Sequence, residues 1–244
     1  MRLRIEDDTR LLVLTGAGVS AESGVPTFRD ASGLWEDHPV ERVATPEGFA
    51  EDPRLVWRFY SERRAKARLV RPNPGHLALA AAEERMGDRF LLVTQNVDGL
   101  HRRAGSLRLV EIHGSLFETR CSVCSREPFP DDSEYLTPPP CEECLARGRE
   151  GLLRPAVVWF GELLDAMRLS QVSSFIESGR GPLVFLAVGT SGLVYPAAGL
   201  VLQARAAGAT TWLVNKDAPD NRRAFHHFVE GPSGEILPGL FEWA

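Results

Sequence analysis

The sequence predicts an α/β protein: a parallel sheet interrupted by a helical insert and a small four-cysteine module. Three observations lead there. Short apolar runs bounded by turns, at 11–14, 90–94, 109–112, 183–188 and 211–214, have the length and near-uniform hydrophobicity of strands buried on both faces of a parallel sheet. The first and fourth are followed at once by small-residue turns, Gly16-Ala17-Gly18 and Gly189-Thr190-Ser191. All the cysteines fall in two Cys-x-x-Cys pairs, 121/124 and 141/144, with sixteen residues between the pairs.

Composition sets the outer bounds. A chain of 244 residues accommodates one large domain, or one domain carrying a small insert. Its 43% hydrophobic residues supply a sizeable core, and 25% charged residues with a net charge of −5 leave no global basic footprint, so no nucleic-acid partner is expected. No run approaches the roughly 18 apolar residues needed to span a bilayer, and the first ten residues have no apolar leader. No membrane partner and a cytoplasmic location are therefore expected.

Taken in order, the chain opens on a strand at Leu11–Leu14. Gly16, Gly18 and Ala21 then fit the G-x-G-x-x-A spacing of a Rossmann-like turn, in which small residues let the backbone approach a pyrophosphate at the start of a helix. A hydride-transferring dinucleotide fold would run through that helix into a second strand ending in an acid about 20 residues on. Here a second polar loop, Gly24 to Asp30, intervenes first, which points to a dinucleotide that is enclosed and reacted upon. Arg29 either sits on the phosphates or pairs with Asp30 or Glu36. Loop signals then bracket a helix from Pro53 to Leu69, on which Tyr60 and Arg63 share a face at i and i+3. Spacing alone favours a solvated basic face.

Residues 72–86 read as a turn and an Ala-rich helix, with His76 in a structural role. Gln95, Asn96, Val97 and Asp98 stand just past the strand 90–94, at the edge where open α/β sheets bind ligands. His113 follows a short strand and can act as a base at neutral pH; His101 is the rival candidate. Cys121, Cys124, Cys141 and Cys144 have the spacing of a closed, structural four-thiolate zinc site. Two disulfides, a redox dithiol and a zinc-ribbon nucleic-acid module are the alternatives. Residues 152–162 combine an apolar strand with an exposed tip. The last third is a β-α-β unit: strand 183–188, a helix from Pro196 to Ala207, and strand 211–214, closed by Asn215, Lys216 and Asp217.

Several of these stretches together carry a family resemblance. GAGVSAESGVPTFRD at 16–30, QNVDGLH at 95–101, Glu-Ile-His-Gly at 111–114 and GTS at 189–191 resemble, in order, the sirtuins, the NAD-dependent protein-lysine deacylases. The resemblance runs from Leu11 to about Pro238. It implies NAD as a consumed co-substrate, held by Gly16, Ala17, Gly18 and Ala21, by Thr27, Phe28 and Arg29, and by Gln95, Asn96 and Asp98. Gly189, Thr190 and Ser191 would complete the pocket, with Asn215, Lys216, Asp217 and Ser233 on the adenosine side. In the reaction it implies, the acyl oxygen attacks the anomeric carbon of the nicotinamide ribose and nicotinamide leaves. His113 then deprotonates a ribose hydroxyl, and free lysine and O-acyl-ADP-ribose are released; His113, Asn96 and Asp98 are the catalytic residues implied. The partners are acylated lysine side chains of other proteins, whose backbone would add as a strand beside Val158, Phe160 and Gly161.

Tyr60, Arg63 and Ala44 match the sirtuin subgroup that removes acidic acyl groups, so a preference for succinyl-, malonyl- or glutaryl-lysine over acetyl-lysine is expected. Val97 stands where isoleucine is commoner, Ala156 where many relatives have a larger polar residue, and Ser233 where alanine is common. The end of the chain soon after Pro238 implies that it lacks the regulatory tails of some relatives. The domain division expected is 1–30, 79–118 and 152–244 for the nucleotide-binding domain, with 31–78 and 119–151 forming the small one. A mono-ADP-ribosyltransferase and a non-catalytic NAD-sensing module are the rival functions; the presence of His113 and Asn96 argues against the second.

Overall fold

Six short hydrophobic segments pair edge to edge in the computed structural model, which describes residues 1–26, 34–35, 38–190 and 199–244 (34–35 by their backbone). They are β1 (Arg10–Thr15), β2 (Phe90–Thr94), β3 (Leu109–Glu111), β4 (Leu183–Val188), β5 (Thr210–Asn215) and β6 (His227–Glu230), all parallel, in the order β6-β5-β4-β1-β2-β3. The α/β fold class read from the sequence is the one found. β1, β2 and β4 are buried along their entire length, which is why their sequences show no polar alternation.

Alternate side chains of each strand feed two separate cores. On one face Leu12, Leu14, Leu91, Val93, Phe185 and Ala187 pack against α5 (Ala166–Glu177) and α6 (Leu200–Ala206) through Val172, Ile176, Val201 and Ala204. On the other, Leu11, Val13, Phe90, Leu92, Val184 and Leu186 pack against α3 (Pro74–Met86) through Leu79, Ala82 and Met86. The C-terminal helix expected over 196–207 is described from Leu200 to Ala206; its expected first turn lies outside the described residues.

The sheet order reverses between β1 and β4, the two strands that carry the small-residue turns. At such a switch point the connections leave in opposite directions and a crevice opens at the carboxyl ends. Gly16 N–H donates to Val188 O and Gly18 N–H to Gly189 O. A Cβ on Gly18 would lie 2.7 Å from Gly189 Cα, and one on Gly189 would lie 2.3 Å from Val19 N. The glycines are there so that two backbones can touch. The amides of Gly16 and Gly18 are spent on that contact, and α1 (Gly18–Ala21) is a single turn, so the phosphate-binding helix dipole expected from the motif is short.

The small unit is built around α2 (Pro53–Leu69), whose bounds are those expected. Asp52 caps it by accepting from Leu55 N at 2.9 Å, and Pro53 occupies the first turn, where its missing N–H costs nothing. Beside it a three-stranded antiparallel sheet joins Phe129–Pro130, Gly114–Cys121 and Leu153–Val157. Gly114–Cys121 runs across the boundary drawn at 118/119, and Leu153–Val157, expected in the nucleotide-binding domain, pairs with it in this sheet, because an apolar run does not reveal which sheet it joins. The basic run of α2 is not a uniformly wet face. Arg64 is fully buried and donates to the carbonyls of Leu116, Ser133 and Glu118 and to Thr119 Oγ1. Removing one partner of a buried, charge-assisted cluster of this kind costs about 3–5 kcal/mol.

Candidate active site

Just beyond β2 the chain turns through Gln95–Asp98, directly over the β1–β4 crevice. Asn96 Nδ2 donates to Gly16 O at 3.0 Å and to Ser20 Oγ at 3.1 Å; Ser20 in turn donates to Asp98 Oδ2 at 2.7 Å. Asp98 Oδ1 accepts from Leu100 N at 2.9 Å, capping the start of α4 (Leu100–Arg103). Burial pushes the Asp98 carboxyl up, against the pull of these two hydrogen bonds and of the Arg63 and Arg103 charges. Gln95 Nε2 reaches Thr190 Oγ1 at 3.0 Å, tying the β2 loop to the β4 turn. The predicted Gly16, Gly18, Gln95, Asn96, Asp98, Gly189 and Thr190 are thus brought together at the carboxyl ends of β1, β2 and β4, with Ala17 and the exposed Ala21 on the adjoining turn and helix. Thr27, Phe28, Arg29 and Ser191 lie outside the described residues.

His113 sits between the crevice and the small unit. Its Nδ1–H donates to Gln95 O at 3.0 Å, since a carbonyl can only accept, and its own carbonyl accepts from Val158 N at 2.9 Å. That bond fixes the tautomer and leaves Nε2 as the proton acceptor. Burial lowers the His113 pKa, opposed by the Gln95 carbonyl. Gly114 is required here: its φ is +80°, and a Cβ would lie 2.0 Å from Ala156 O.

The rival base does not reach the crevice. His101 is 2% exposed, its Nε2 is hydrogen-bonded to Thr15 Oγ1 at 2.9 Å, and its ring packs against His76 at 4.7 Å between centroids. Burial, together with the neighbouring His76, pushes its pKa well below the usual value. His76 has the structural role expected. Its Nδ1 accepts from Asn73 N in a capping box, so Nε2 carries the proton and faces Ser20 Oγ at 3.4 Å; burial lowers its pKa to about 4.

Ser20 joins Asn96, Asp98 and His76 and was missed as a site residue. Its signal was present: a small hydroxyl one turn behind the glycine loop, flanked by Val19 and Ala21. On the opposite flank, Asn215 closes β5 and its Nδ2 donates to Asp217 O at 2.9 Å; Lys216 and Asp217 are exposed. Ser233 is buried and donates to Glu22 Oε1 at 3.1 Å, an oxygen that also accepts from Gly234 N. Glu22 is a second residue that sequence reasoning passed over.

On the small-unit side, Ala44 is buried and its carbonyl accepts from Phe160 N at 3.0 Å. Tyr60 is fully buried; its Oη accepts from Trp159 Nε1 at 2.9 Å, and burial raises its pKa to about 12. Arg63 is 8% exposed, one turn further along α2, and its charge is felt by both Tyr60 and Asp98. Val158 is half-buried, Phe160 is 48% exposed, and Gly161 has φ +85° at the loop tip.

The four cysteines are buried, and their sulfurs all lie within 4.8 Å of one another. Cys121 and Cys144 are 3.6 Å apart and Cys124 and Cys141 3.8 Å. A tetrahedral zinc ion with bonds of about 2.3 Å spaces its sulfurs about 3.8 Å apart, whereas a disulfide needs about 2.05 Å. Burial raises the Cys121 thiol, but amides of Cys124 and Val123 and the neighbouring thiols bring it down to about 7. Gly151 leaves the room: a Cβ there would lie 2.6 Å from Cys144 Sγ. The donor set fits one closed, structural zinc ion held by Cys121, Cys124, Cys141 and Cys144.

A family model described as the Sir2 family matches residues 16–196. NAD-dependent protein deacylase 2 of Pyrobaculum aerophilum is 46% identical over 237 residues, which cover 95% of this chain and 89% of that one. The NAD-dependent protein deacylase of Shigella flexneri is 45% identical over 235 residues, 96% of this chain and 83% of its own. The chain belongs to the Sir2 family. A solved Sir2 homologue in complex with NAD shares the Sir2 fold with a TM-score of 0.82 at 40% identity, over 93% of this chain and 86% of that one. Among the described residues no helix is long and apolar enough to cross a membrane.

Proposed function

We propose that this chain is an NAD-dependent protein-lysine deacylase, and that it prefers lysines carrying short acidic acyl groups. The observation that carries the first part is His113: a neutral imidazole with a fixed tautomer, its free nitrogen beside a crevice at the sheet's switch point. When bound there, NAD would supply an electrophilic anomeric carbon from which nicotinamide departs. The chain's own residues have three tasks. Gln95, Asn96 and Asp98, locked to Gly16, Ser20 and Thr190, hold the nicotinamide end in one orientation. His113 takes a hydroxyl proton at Nε2. Val158, Phe160 and Gly161, on a loop whose backbone is pinned to His113 and Ala44, receive the peptide as an added strand.

The acidic preference rests on Tyr60, Arg63 and Ala44. A guanidinium and a phenol on one face of α2 supply charge-assisted donors for a terminal carboxylate, and a methyl side chain at 44 leaves space for it. Nicotinamide release from NAD, measured with matched succinyl-lysine and acetyl-lysine peptides, tests both parts. Release that depends on the acyl peptide and is faster with succinyl is expected. His113→Ala should slow it by roughly 10²–10⁴-fold, the usual contribution of a general base. Release without any acyl peptide, or equal rates on the two peptides, would sink the first and the second part respectively.

A further inference from the structure

Two neighbouring strands at the centre of the sheet end on threonine where valine would have continued the apolar row. Thr15 closes β1 and Thr94 closes β2; the two are paired in register and buried. Alternation puts them on the α3 face, in line with Leu11 and Val13 and with Phe90 and Leu92. A buried hydroxyl is costly unless it is hydrogen-bonded, and both of these are. Thr15 Oγ1 donates to Thr94 Oγ1 at 2.8 Å, and Thr94 Oγ1 also accepts from Asn96 N at 3.1 Å. With its one proton given to Thr94, Thr15 has only lone pairs to offer His101 Nε2, 2.9 Å away, so the imidazole is the donor there. Burial and the adjacent His76 ring keep His101 neutral. Its proton is therefore on Nε2, and Nδ1 has no hydrogen-bond partner among the described residues. A chain of donors thus starts at His101, crosses the ends of β1 and β2 and meets the backbone of Asn96.

We infer that His101 is a positioning residue of the site: by donating to Thr15 it fixes, through Thr94, the backbone turn that aims Asn96 at the nicotinamide end of NAD. This rests on the role of Asn96 proposed above. The counting explains why an imidazole stands at 101. A group that can only give forces the Thr15 proton toward Thr94, and hydrogen bonds in series polarise one another. Leucine would fill the space but leave the direction of both hydroxyls unset. Asn96 is then held at two independent points, its side chain by Gly16 O and Ser20 Oγ and its backbone by Thr94. Thr15 also holds the residue before it, since its carbonyl accepts from Gln95 N at 3.0 Å.

The test compares Thr94→Val, Thr15→Val and His101→Leu with Thr94→Ser, Thr15→Ser and His101→Gln, which keep a hydroxyl or an N–H at each place. Two quantities are read: amide exchange at Asn96 in the free protein, and calorimetric affinity for NAD relative to ADP-ribose, which lacks the nicotinamide. Asn96 exchange should quicken most in Thr94→Val, which removes the acceptor of its N–H. It should quicken by a smaller factor in Thr15→Val and His101→Leu, although neither residue touches Asn96. Affinity for NAD should fall roughly two- to tenfold, the worth of one neutral hydrogen bond, while that for ADP-ribose is held. The Ser and Gln variants should recover most of both. A lesion of the fold alone would weaken the two ligands alike; that result, or an Asn96 amide as slow in His101→Leu as in the parent, overturns the inference. Should His101→Leu melt well below the parent, the imidazole nitrogen NMR spectrum of the parent decides: an Nε2–H tautomer at His101 supports the inference and an Nδ1–H tautomer overturns it. A parent that binds NAD yet releases no nicotinamide with any acyl-lysine peptide overturns the deacylase reading instead, and the exchange data still decide the role of His101.

Discussion

The six-stranded sheet and the three-stranded unit are stabilised in different ways. The large sheet buries two apolar layers, one on each face, and its carboxyl edge is set by backbone contact between Gly16–Gly18 and Gly189. The small unit has a single core, in which Val56, Trp57, Leu116 and Leu153 share the interior with the four cysteines. Its loops carry Pro128, Pro130 and Pro138 to Pro140, and one of its strands has two residues. The large sheet therefore rests on apolar layers and backbone contact, while the small unit shares its core with the four cysteines of the metal site. A substrate pocket built on the second can change its acyl preference without disturbing the first.

Taking the metal away strains this comparison most. Zinc binding to small four-ligand modules contributes on the order of 10–16 kcal/mol at neutral pH. Chelation should abolish acyl-dependent nicotinamide release. Hydrogen exchange should then accelerate over 40–69 and 114–157 while the amides of β1 and β4 stay protected; uniform loss of protection would mean that the two units are not separable. A smaller effect is expected from Arg63→Met. If the guanidinium contributes the ~1.5–3 kcal/mol typical of a hydrogen bond to a charged group, kcat/KM on a succinyl peptide falls roughly ten- to a hundredfold. Acetyl turnover should fall much less, and an equal loss on both peptides would place Arg63 in the frame instead of the pocket.

The smallest effect is on the acid limb of the pH profile. The base proposed, His113, would work as neutral imidazole, and burial lowers its pKa beneath 6.5. Activity should therefore persist through pH 6.5 and be lost only as the pH falls through that lowered value. The sign for stability is the same. His113 and His76, with folded pKa values below their unfolded ones, stabilise the fold fully above about pH 6.5. Their contribution is lost as the pH drops toward the value of about 4 reached by His76. An acid limb centred at or above 6.5 would show that His113 titrates as if solvated.

How much of this was legible in the sequence depends on whether a residue acts through its neighbours in the chain or through space. The bounds of α2 were readable because Asp52-Pro53 and Arg71-Pro72 punctuate it locally. The strands 90–94 and 183–188 were readable because full burial on both faces leaves an uninterrupted apolar run. Two Cys-x-x-Cys pairs gave the metal module because zinc needs four donors in a small volume. The rest was hidden by distance. Nothing in the basic run of α2 says that Arg64 is buried against carbonyls of residues 116–133. His101 and His113 look alike as isolated imidazoles, and only the crossing of α4 behind β1 buries the first. Ser20 and Glu22 lie within the glycine motif, but their partners Asn96, Asp98 and Ser233 are far away in the chain.

The backbone contact between Gly18 and Gly189 also has a consequence in time. The two residues leave the ribosome roughly 10–35 s apart at elongation rates of about 5–20 residues per second. During that interval β2 can already pair with one side of β1, but the other side has no partner until Leu183–Val188 is synthesised. A nascent chain therefore carries an open edge along Leu11, Leu12, Val13 and Leu14, all of them buried in the finished protein. Such an edge is a template for pairing with another chain. The same join that gives the crevice its shape leaves the centre of the sheet open until most of the chain has been made, so the yield of folded enzyme should be sensitive to translation speed and to chaperone supply before residue 188.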